Sequence, residues 1–201
     1  MIGLVNFGLG NLGSIVNCYE KLNIKIKILN DASEIENVSH LILPGVGSFR
    51  VGMDNLKKFK WDLEIFKHVE KNKPLLGICL GMQLLFEKGE EDGNNTGLGL
   101  IKGKVSKIVD KTQKIPIVGW KGLQVIKEHR LLNKVRTSAD FYFVHSYECK
   151  IKNNLNLIAM SENFVACVAS DNIFATQFHP EKSPPNGINI LKNFADWDGL
   201  C

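Results

Sequence analysis

A cysteine set between two glycines, at the end of an apolar run, is the part of this 201-residue sequence best suited to covalent chemistry. The stretch Pro74-Leu-Leu-Gly-Ile-Cys-Leu-Gly-Met-Gln83 predicts a buried strand running straight into a helix, with Cys79 at the junction. The spacing Gly77-x-Cys79-x-Gly81 is that of a nucleophile elbow, where glycines two residues either side remove Cβ atoms that the strained turn would not accommodate. Such a turn lifts the thiol above the C-terminal edge of the sheet, where open α/β sheets place their ligands. The amides that open the following helix favour thiolate over thiol. Cys18, Cys149 and Cys167 lie in apolar-periodic stretches and read as packing residues, and Cys201 is terminal.

A thiolate nucleophile needs a base that manages its proton and later protonates the leaving group. Of the five histidines, His40 and His68 read as boundary or surface positions, His129 sits in a charged stretch, and His145 follows a short apolar run. His179 is better placed, at the end of a strand in Gln177-Phe-His-Pro-Glu-Lys-Ser183. Pro180 holds it extended, and residues two apart in an extended segment point the same way, so Glu181 can orient the imidazole. The loop Pro44-Gly-Val-Gly-Ser48 follows another apolar run. Backbone N–H groups at Val46 and Gly47, beside that of Leu80, could face a developing oxyanion, one such donor contributing roughly 3–4 kcal/mol to a transition state. No Gly-Lys-[Ser/Thr] follows, so this is not a phosphate-binding P-loop.

These segments need a sheet to hold them, and the chain supplies one. Ile2–Phe7, Lys25–Leu29, His40–Leu43 and Leu75–Ile78 read as strands. Leu12–Leu22, Val51–Lys58, Asp62–Lys71 and Leu80–Lys88 read as helices, and Asp31-Ala-Ser-Glu34 resembles a capping box. Alternation of this kind implies a parallel sheet covered on both faces. After the polar loop Glu90–Thr96, β-rich runs crowd together at Lys104–Val109, Gly119–Val125, Phe141–Val144, Leu157–Ala159, Val165–Ala169 and Ile173–Gln177, predicting antiparallel additions to the sheet. A helix at Ile188–Phe194 closes a three-layer α/β/α fold, with residues 1–201 forming one domain.

Composition bounds the function. Hydrophobic residues make up 44% and charged residues 23%, ordinary for a globular chain able to fold without disulfides or metal. Five scattered cysteines, none in a C-x-x-C pair, suit a reducing cytoplasm and argue against a zinc site. No signal peptide and no apolar run near the ~20 residues of a membrane span are evident, so a cytoplasmic protein is expected. The net charge of +4 is concentrated between Lys102 and Arg136, where ten basic residues meet only Asp110 and Glu128. Without interleaved aromatic platforms this stretch reads as a solvated face rather than a nucleic-acid surface.

Six segments in order resemble the class I (triad) glutamine amidotransferases, and among them the glutaminase subunits of imidazole glycerol phosphate synthases. They are Gly8-Leu-Gly-Asn-Leu12, Pro44-Gly-Val-Gly-Ser-Phe49, Ile78-Cys-Leu-Gly-Met-Gln83, Gly119-Trp120, Phe143-Val-His-Ser-Tyr147 and Gln177-Phe-His-Pro-Glu-Lys-Ser183. The resemblance spans nearly the whole chain and implies a flavodoxin-like fold whose mixed sheet has a parallel core. It implies a Cys79, His179, Glu181 triad, an oxyanion site at Val46, Gly47 and Leu80, and L-glutamine held by Gln83, His145, Ser146 and Tyr147. No cofactor or metal is implied. The implied partner is a (β/α)₈ cyclase subunit, faced by Asn11, Trp120 and Lys182, which receives the ammonia for histidine biosynthesis.

The resemblance is broken around Trp120. The family pattern there has a histidine and an asparagine where this chain has Ile117 and Lys121, on the side expected to meet the cyclase, and Pro184-Pro185 stands where a glutamine is common. A related glutaminase that supplies ammonia to a surface-polysaccharide sugar amidotransferase is therefore a second reading. A stand-alone cysteine hydrolase on the same fold is a third.

Overall fold

The computed structural model describes residues 1–109, 114–136 and 139–200. Asp110 and Lys111 of the basic stretch, and Cys201, lie outside them. The first half follows the expected alternation: β1 (Ile2–Val5), α1 (Leu12–Lys21), β2 (Ile26–Leu29), β3 (His40–Leu43), α2 (Phe49–Lys58), α3 (Trp61–Glu70), β4 (Leu75–Ile78) and α4 (Leu80–Leu84). Between β2 and β3 the capping box forms, with Asp31 accepting from Ser33 N and Glu34 reaching back, but the helix it opens is a single 3₁₀ segment, Ala32–Asn37.

The second half is β5 (Phe86–Gly89), β6 (Asn95–Thr96), β7 (Ile101–Lys107), β8 (Ile117–Gly122), β9 (Gln124–Val125), β10 (Asp140–His145), β11 (Tyr147–Ile151), β12 (Leu157–Ser161), β13 (Phe164–Ser170), β14 (Ile173–Thr176) and α5 (Asn186–Asp196). The main sheet has the order β2-β1-β3-β4-β14-β13-β12-β9. Its first five strands are parallel, and β13, β12 and β9 extend it antiparallel. The result is a mixed sheet with a parallel core.

Two expectations fail here. The helix foreseen at Leu80–Lys88 stops at Leu84, and Phe86–Gly89 becomes a strand because pairing with β7 overrides the helix propensity of Glu87 and Lys88. Nor do all the later β runs join the main sheet. β5, β6, β7 and β11 form a second sheet, and β8 pairs with β10 as a separate antiparallel ribbon. β11 itself, which starts at Tyr147, is not foreseen at all.

Strands β1, β3 and β4 are apolar apart from His40 at the start of β3, as strands covered on both faces are. Leu4, Ile42 and Leu76 pack with Ile15 and Tyr19 of α1 and Ile190, Leu191 and Phe194 of α5. Their neighbours Val5, Leu41, Leu43 and Leu75 pack on the opposite face with Met53, Leu56, Trp61 and Ile65 from α2 and α3. Among the described residues no helix is long and apolar enough to cross a membrane. His68, expected near the surface, is buried against the Pro74 carbonyl (3.1 Å) and its pKa is pushed down to about 4, mainly by burial.

Candidate active site

Three neighbouring parallel strands end on the same side of the sheet, and each carries one part of the site. The loop Pro44–Ser48 leaves β3, Cys79 leaves β4, and the segment from Gln177 to Ser183 leaves β14. Register places Leu43 beside Gly77 and Thr176 beside Ile78, so the three exits are level.

Cys79 occupies φ 53°, ψ −108°, a conformation a side-chain-bearing residue holds only when its surroundings impose it, at a cost of about 1–3 kcal/mol. Cys79 N donating to Thr176 O (2.7 Å) and Gln83 N donating to Cys79 O (3.1 Å) lock it on either side. The glycines matter as expected. A Cβ on Gly81 would fall on the Leu43 carbonyl oxygen, and one on Gly77 would lie 3.0 Å from Met82 N. A Cβ on Gly45 would lie 2.8 Å from that of Leu80, so elbow and loop are pressed together. At five residues α4 has little macrodipole to offer Cys79, so the contribution expected from the helix amides is small.

His179 is extended (φ −97°, ψ 96°), but Glu181 does not reach it by strand alternation. Pro180–Lys182 form a 3₁₀ turn with His179 as its N-cap, and that turn brings Glu181 Oε1 within 2.8 Å of His179 Nδ1. Both side chains are buried. Ser183 fixes the backbone beneath, its hydroxyl donating to His179 O (2.6 Å) and accepting from Tyr142 N (2.9 Å). Nε2 of His179 has no hydrogen-bond partner, yet the Cys79 sulfur lies near enough to act on it. Burial by itself lowers the pKa of the imidazole. The sulfur and the Glu181 carboxylate more than reverse this and raise it to about 10.

That raised value ties stability to pH. A group whose folded pKa exceeds its free value of 6.5 contributes stability that is complete below 6.5 and lost as pH rises through about 10. The melting-temperature gap between the wild type and His179→Asn, followed by circular dichroism, should therefore narrow from pH 6.5 to pH 10. A gap that stays constant or widens contradicts the coupling of His179 to Cys79 and Glu181.

A cavity of about 470 Å³ opens over Cys79 and His179, with Val46, Gly47, Leu80 and Gln83 on its wall and His145, Ser146 and Tyr147 opposite. The structure thus brings together the expected oxyanion and glutamine-binding residues. Gln83 and Tyr147 meet through the backbone, Gln83 Nε2 donating to Tyr147 O at 3.2 Å. His145 Nδ1 sits 2.9 Å from the same oxygen, and its pKa is pushed down to about 4, chiefly by burial. A larger groove of about 1000 Å³ near Ile126, His129 and Leu155 has no cysteine on its wall. Among the described residues no cluster of His, Cys, Asp and Glu could hold a metal ion.

Asn11, Trp120 and Lys182 lie outside this cavity. Trp120 is exposed and packs edge-on against Tyr142 (6.0 Å between centroids), and Lys182 Nζ sits 5.6 Å from the centre of the same ring. Asn11 is exposed and caps α1 by accepting from Ser14 N. The departures at 117 and 121 are not on the Trp120 side. Ile117 is buried in the core, and Lys121 pairs with Glu162 (2.6 Å), because alternation along β8 turns 117, 119 and 121 away from the face of Val118 and Trp120.

Two groups at the site carry no role in the sequence reading. Glu91 lines the cavity from the loop after β5, held by Phe49 N donating to its Oε2 (2.7 Å), and burial raises its pKa. Gln177 is fully buried, with Nε2 3.7 Å from the Cys79 sulfur. One sits in what reads as a polar loop and the other at a strand end, so composition gives no signal for either.

Over residues 3–197 the sequence matches the family described as Glutamine amidotransferase class-I, and the chain belongs to that family. Within it, similarity runs along the whole length to proteins named imidazole glycerol phosphate synthase subunit HisH. The one from Desulfitobacterium hafniense (strain DSM 10664 / DCB-2) is 43% identical over 200 residues, covering 98% of this chain and 94% of the relative. The one from Caldanaerobacter subterraneus subsp. tengcongensis is 44% identical over 199 residues, covering 98% of each. Among solved structures, PurLQS from Thermotoga maritima aligns with a TM-score of 0.77 at 18% identity over 97% of both chains, a likeness of fold.

Proposed function

We propose that this chain is the glutaminase subunit of an imidazole glycerol phosphate synthase, hydrolysing L-glutamine at Cys79 and passing ammonia to a (β/α)₈ cyclase subunit in histidine biosynthesis. The observation that carries the chemistry is the convergence of Cys79, the His179–Glu181 pair and the Gly47 loop on one cavity. The full-length likeness to subunits named for that synthase carries the pathway. Among the described residues, four buried, unpaired cysteines suit a cytoplasmic setting.

In this reading the Cys79 sulfur attacks the side-chain carbonyl carbon of glutamine. The oxyanion that forms takes N–H donors from Leu80 and from the Val46–Gly47 backbone. His179, held protonated by Glu181 and the thiolate, gives its proton to the departing nitrogen, so ammonia leaves and a thioester remains. Water deprotonated by His179 then opens the thioester to glutamate. Glu91, a carboxylate on the cavity wall, supplies the opposite charge for the α-ammonium of the substrate.

Trp120, Val118 and Lys182 are the surface offered to the partner. An exposed tryptophan braced by a tyrosine has the character of an interface anchor. Trp120→Ala should weaken association with the synthase partner by about 2 kcal/mol, roughly 30-fold, with an unchanged melting temperature. Calorimetric titration of the two subunits measures this, and affinity within twofold of wild type would remove Trp120 from the interface.

The pathway is tested by co-purification from the native cell followed by mass spectrometry. A cyclase barrel in the complex is expected. A sugar amidotransferase in its place would support the second reading, and glutamine turnover by the chain alone, with no partner, the third. With Ile117 in the core and Lys121 in an intramolecular pair, the second reading no longer gains support from those two positions.

A further inference from the structure

We propose that Gln177 is a positioning residue for the nucleophile, its side-chain N–H holding the Cys79 sulfur as thiolate, with the direction of that amide set by the backbone carbonyl of Tyr147. This rests on Cys79 being the nucleophile and deepens that reading.

The direction of each amide is fixed by its neighbours. An amide side chain can present either its oxygen or its nitrogen, and geometry alone does not distinguish them. Here one end of the chain of contacts is a backbone carbonyl, which can only accept. Tyr147 O is 3.2 Å from one end of the Gln83 amide, so that end must be Nε2. The same nitrogen is 3.1 Å from the Gln177 amide, whose facing atom must then be Oε1. The other end of Gln177 is thereby Nε2, and it lies 3.7 Å from the Cys79 sulfur. Tyr147 O also forces the proton of His145 onto Nδ1, so His145 cannot compete as a donor through that nitrogen.

The sulfur therefore has two different neighbours for its two states. As a thiol it donates to Val144 O, 3.9 Å away. As a thiolate it would meet that carbonyl as a repulsive dipole, and the Gln177 N–H opposes this. Gln177 is completely buried, so its amide is held by protein partners alone. Its backbone is fixed by Gln177 N donating to Ala166 O (2.9 Å), two residues before His179, so donor and base are carried on one rigid segment.

The other titratable groups facing Cys79 are His179 with Glu181 behind it, His145 from β10, Cys149 from β11, and Glu91 and Tyr147 across the cavity. All remain in a Gln177 variant. Gln177→Glu keeps the size and the acceptor for Gln83 but replaces the donor with a charge of the same sign as the thiolate. Gln177→Met removes the donor without adding charge.

The readout is the rate of iodoacetamide alkylation at Cys79 against pH, followed on the Cys79 peptide by mass spectrometry. The midpoint should move up by at least about one pH unit in Gln177→Glu, a tenfold slower reaction at pH 7, and by less but in the same direction in Gln177→Met. Glutamine turnover by the complex should lose kcat with little change in KM. An unchanged midpoint in a folded variant overturns the proposal. If neither variant folds, the Gln177 side-chain amide resonance of the wild type decides the matter. It should shift as Cys79 ionises and stay still in Cys79→Ala, and a resonance indifferent to pH in the wild type overturns it. Failure of the glutaminase reading looks different, since the wild-type complex would then not turn over glutamine at all.

Discussion

With alanine at position 79, the assembled complex should lose glutamine-driven synthesis by at least about 10⁴-fold while its synthesis from added ammonium salt stays within a factor of two. The size of the first effect comes from the role of the sulfur. It forms and breaks the bond to the substrate carbon, and removing such a nucleophile costs as much as removing the whole catalytic set it works with. The second comes from location. Cys79 lies above the ends of β3, β4 and β14, whereas Trp120 and Lys182 each pack against Tyr142, outside the cavity that Cys79 lines. The substitution removes one sulfur atom from a side chain whose backbone is held by Thr176 O and Gln83 N, so the docking surface has no reason to move. Steady-state assays of the reconstituted complex with each nitrogen source separate the two. Loss of both activities would mean that Cys79 is needed for assembly or for the partner's own reaction, and the division of labour would fall.

Much of this site can be read from the sequence because its parts sit at ends of strands that are apolar on both faces. Leu43, Ile78 and Thr176 end the strands that carry the site, followed by Pro44-Gly45, by Cys79-Leu80-Gly81 and, after Gln177 and Phe178, by the His-Pro-Glu run. Local composition misleads where the pairing partner is far along the chain. Phe86–Gly89 follows a helical run and includes the helix formers Glu87 and Lys88, and only β7, some fifteen residues on, makes it a strand. The same limit hides Gln177 and Glu91, since the first acquires meaning from Tyr147 and Gln83 and the second from Phe49 N. Even a correct pairing can have another cause. Glu181 reaches His179 through a 3₁₀ turn, not by alternation along a strand. Position 117 shows the reverse error. A change beside an exposed tryptophan reads as an interface change, but period-two alternation places it in the core.

Gly81→Ala should be strongly disruptive although it adds a single methyl group. Its Cβ would fall on the Leu43 carbonyl oxygen, with Leu43 C at 2.8 Å and Pro44 O at 2.9 Å. All three are backbone atoms, so no rotamer change relieves the overlap, and the end of β3 must separate from the elbow. Overpacking of this kind costs on the order of 3 kcal/mol, or about 6–12 °C in melting temperature for a chain of this size. The damage is also functional, because the residues displaced begin the loop that carries Val46 and Gly47, and Gly45 already sits against Leu80. Turnover should therefore fall in whatever fraction remains folded. Gly13→Ala is the matched control. It adds the same methyl group within α1, where nothing lies within 4 Å, and should stabilise by about 0.5–1 kcal/mol through helix propensity. Thermal melts of both variants give opposite signs if the close approach of β3 to the elbow is real. A Gly81→Ala protein that melts with the wild type and retains its turnover would show that the two backbones can part without cost, and the elbow would then not depend on that contact.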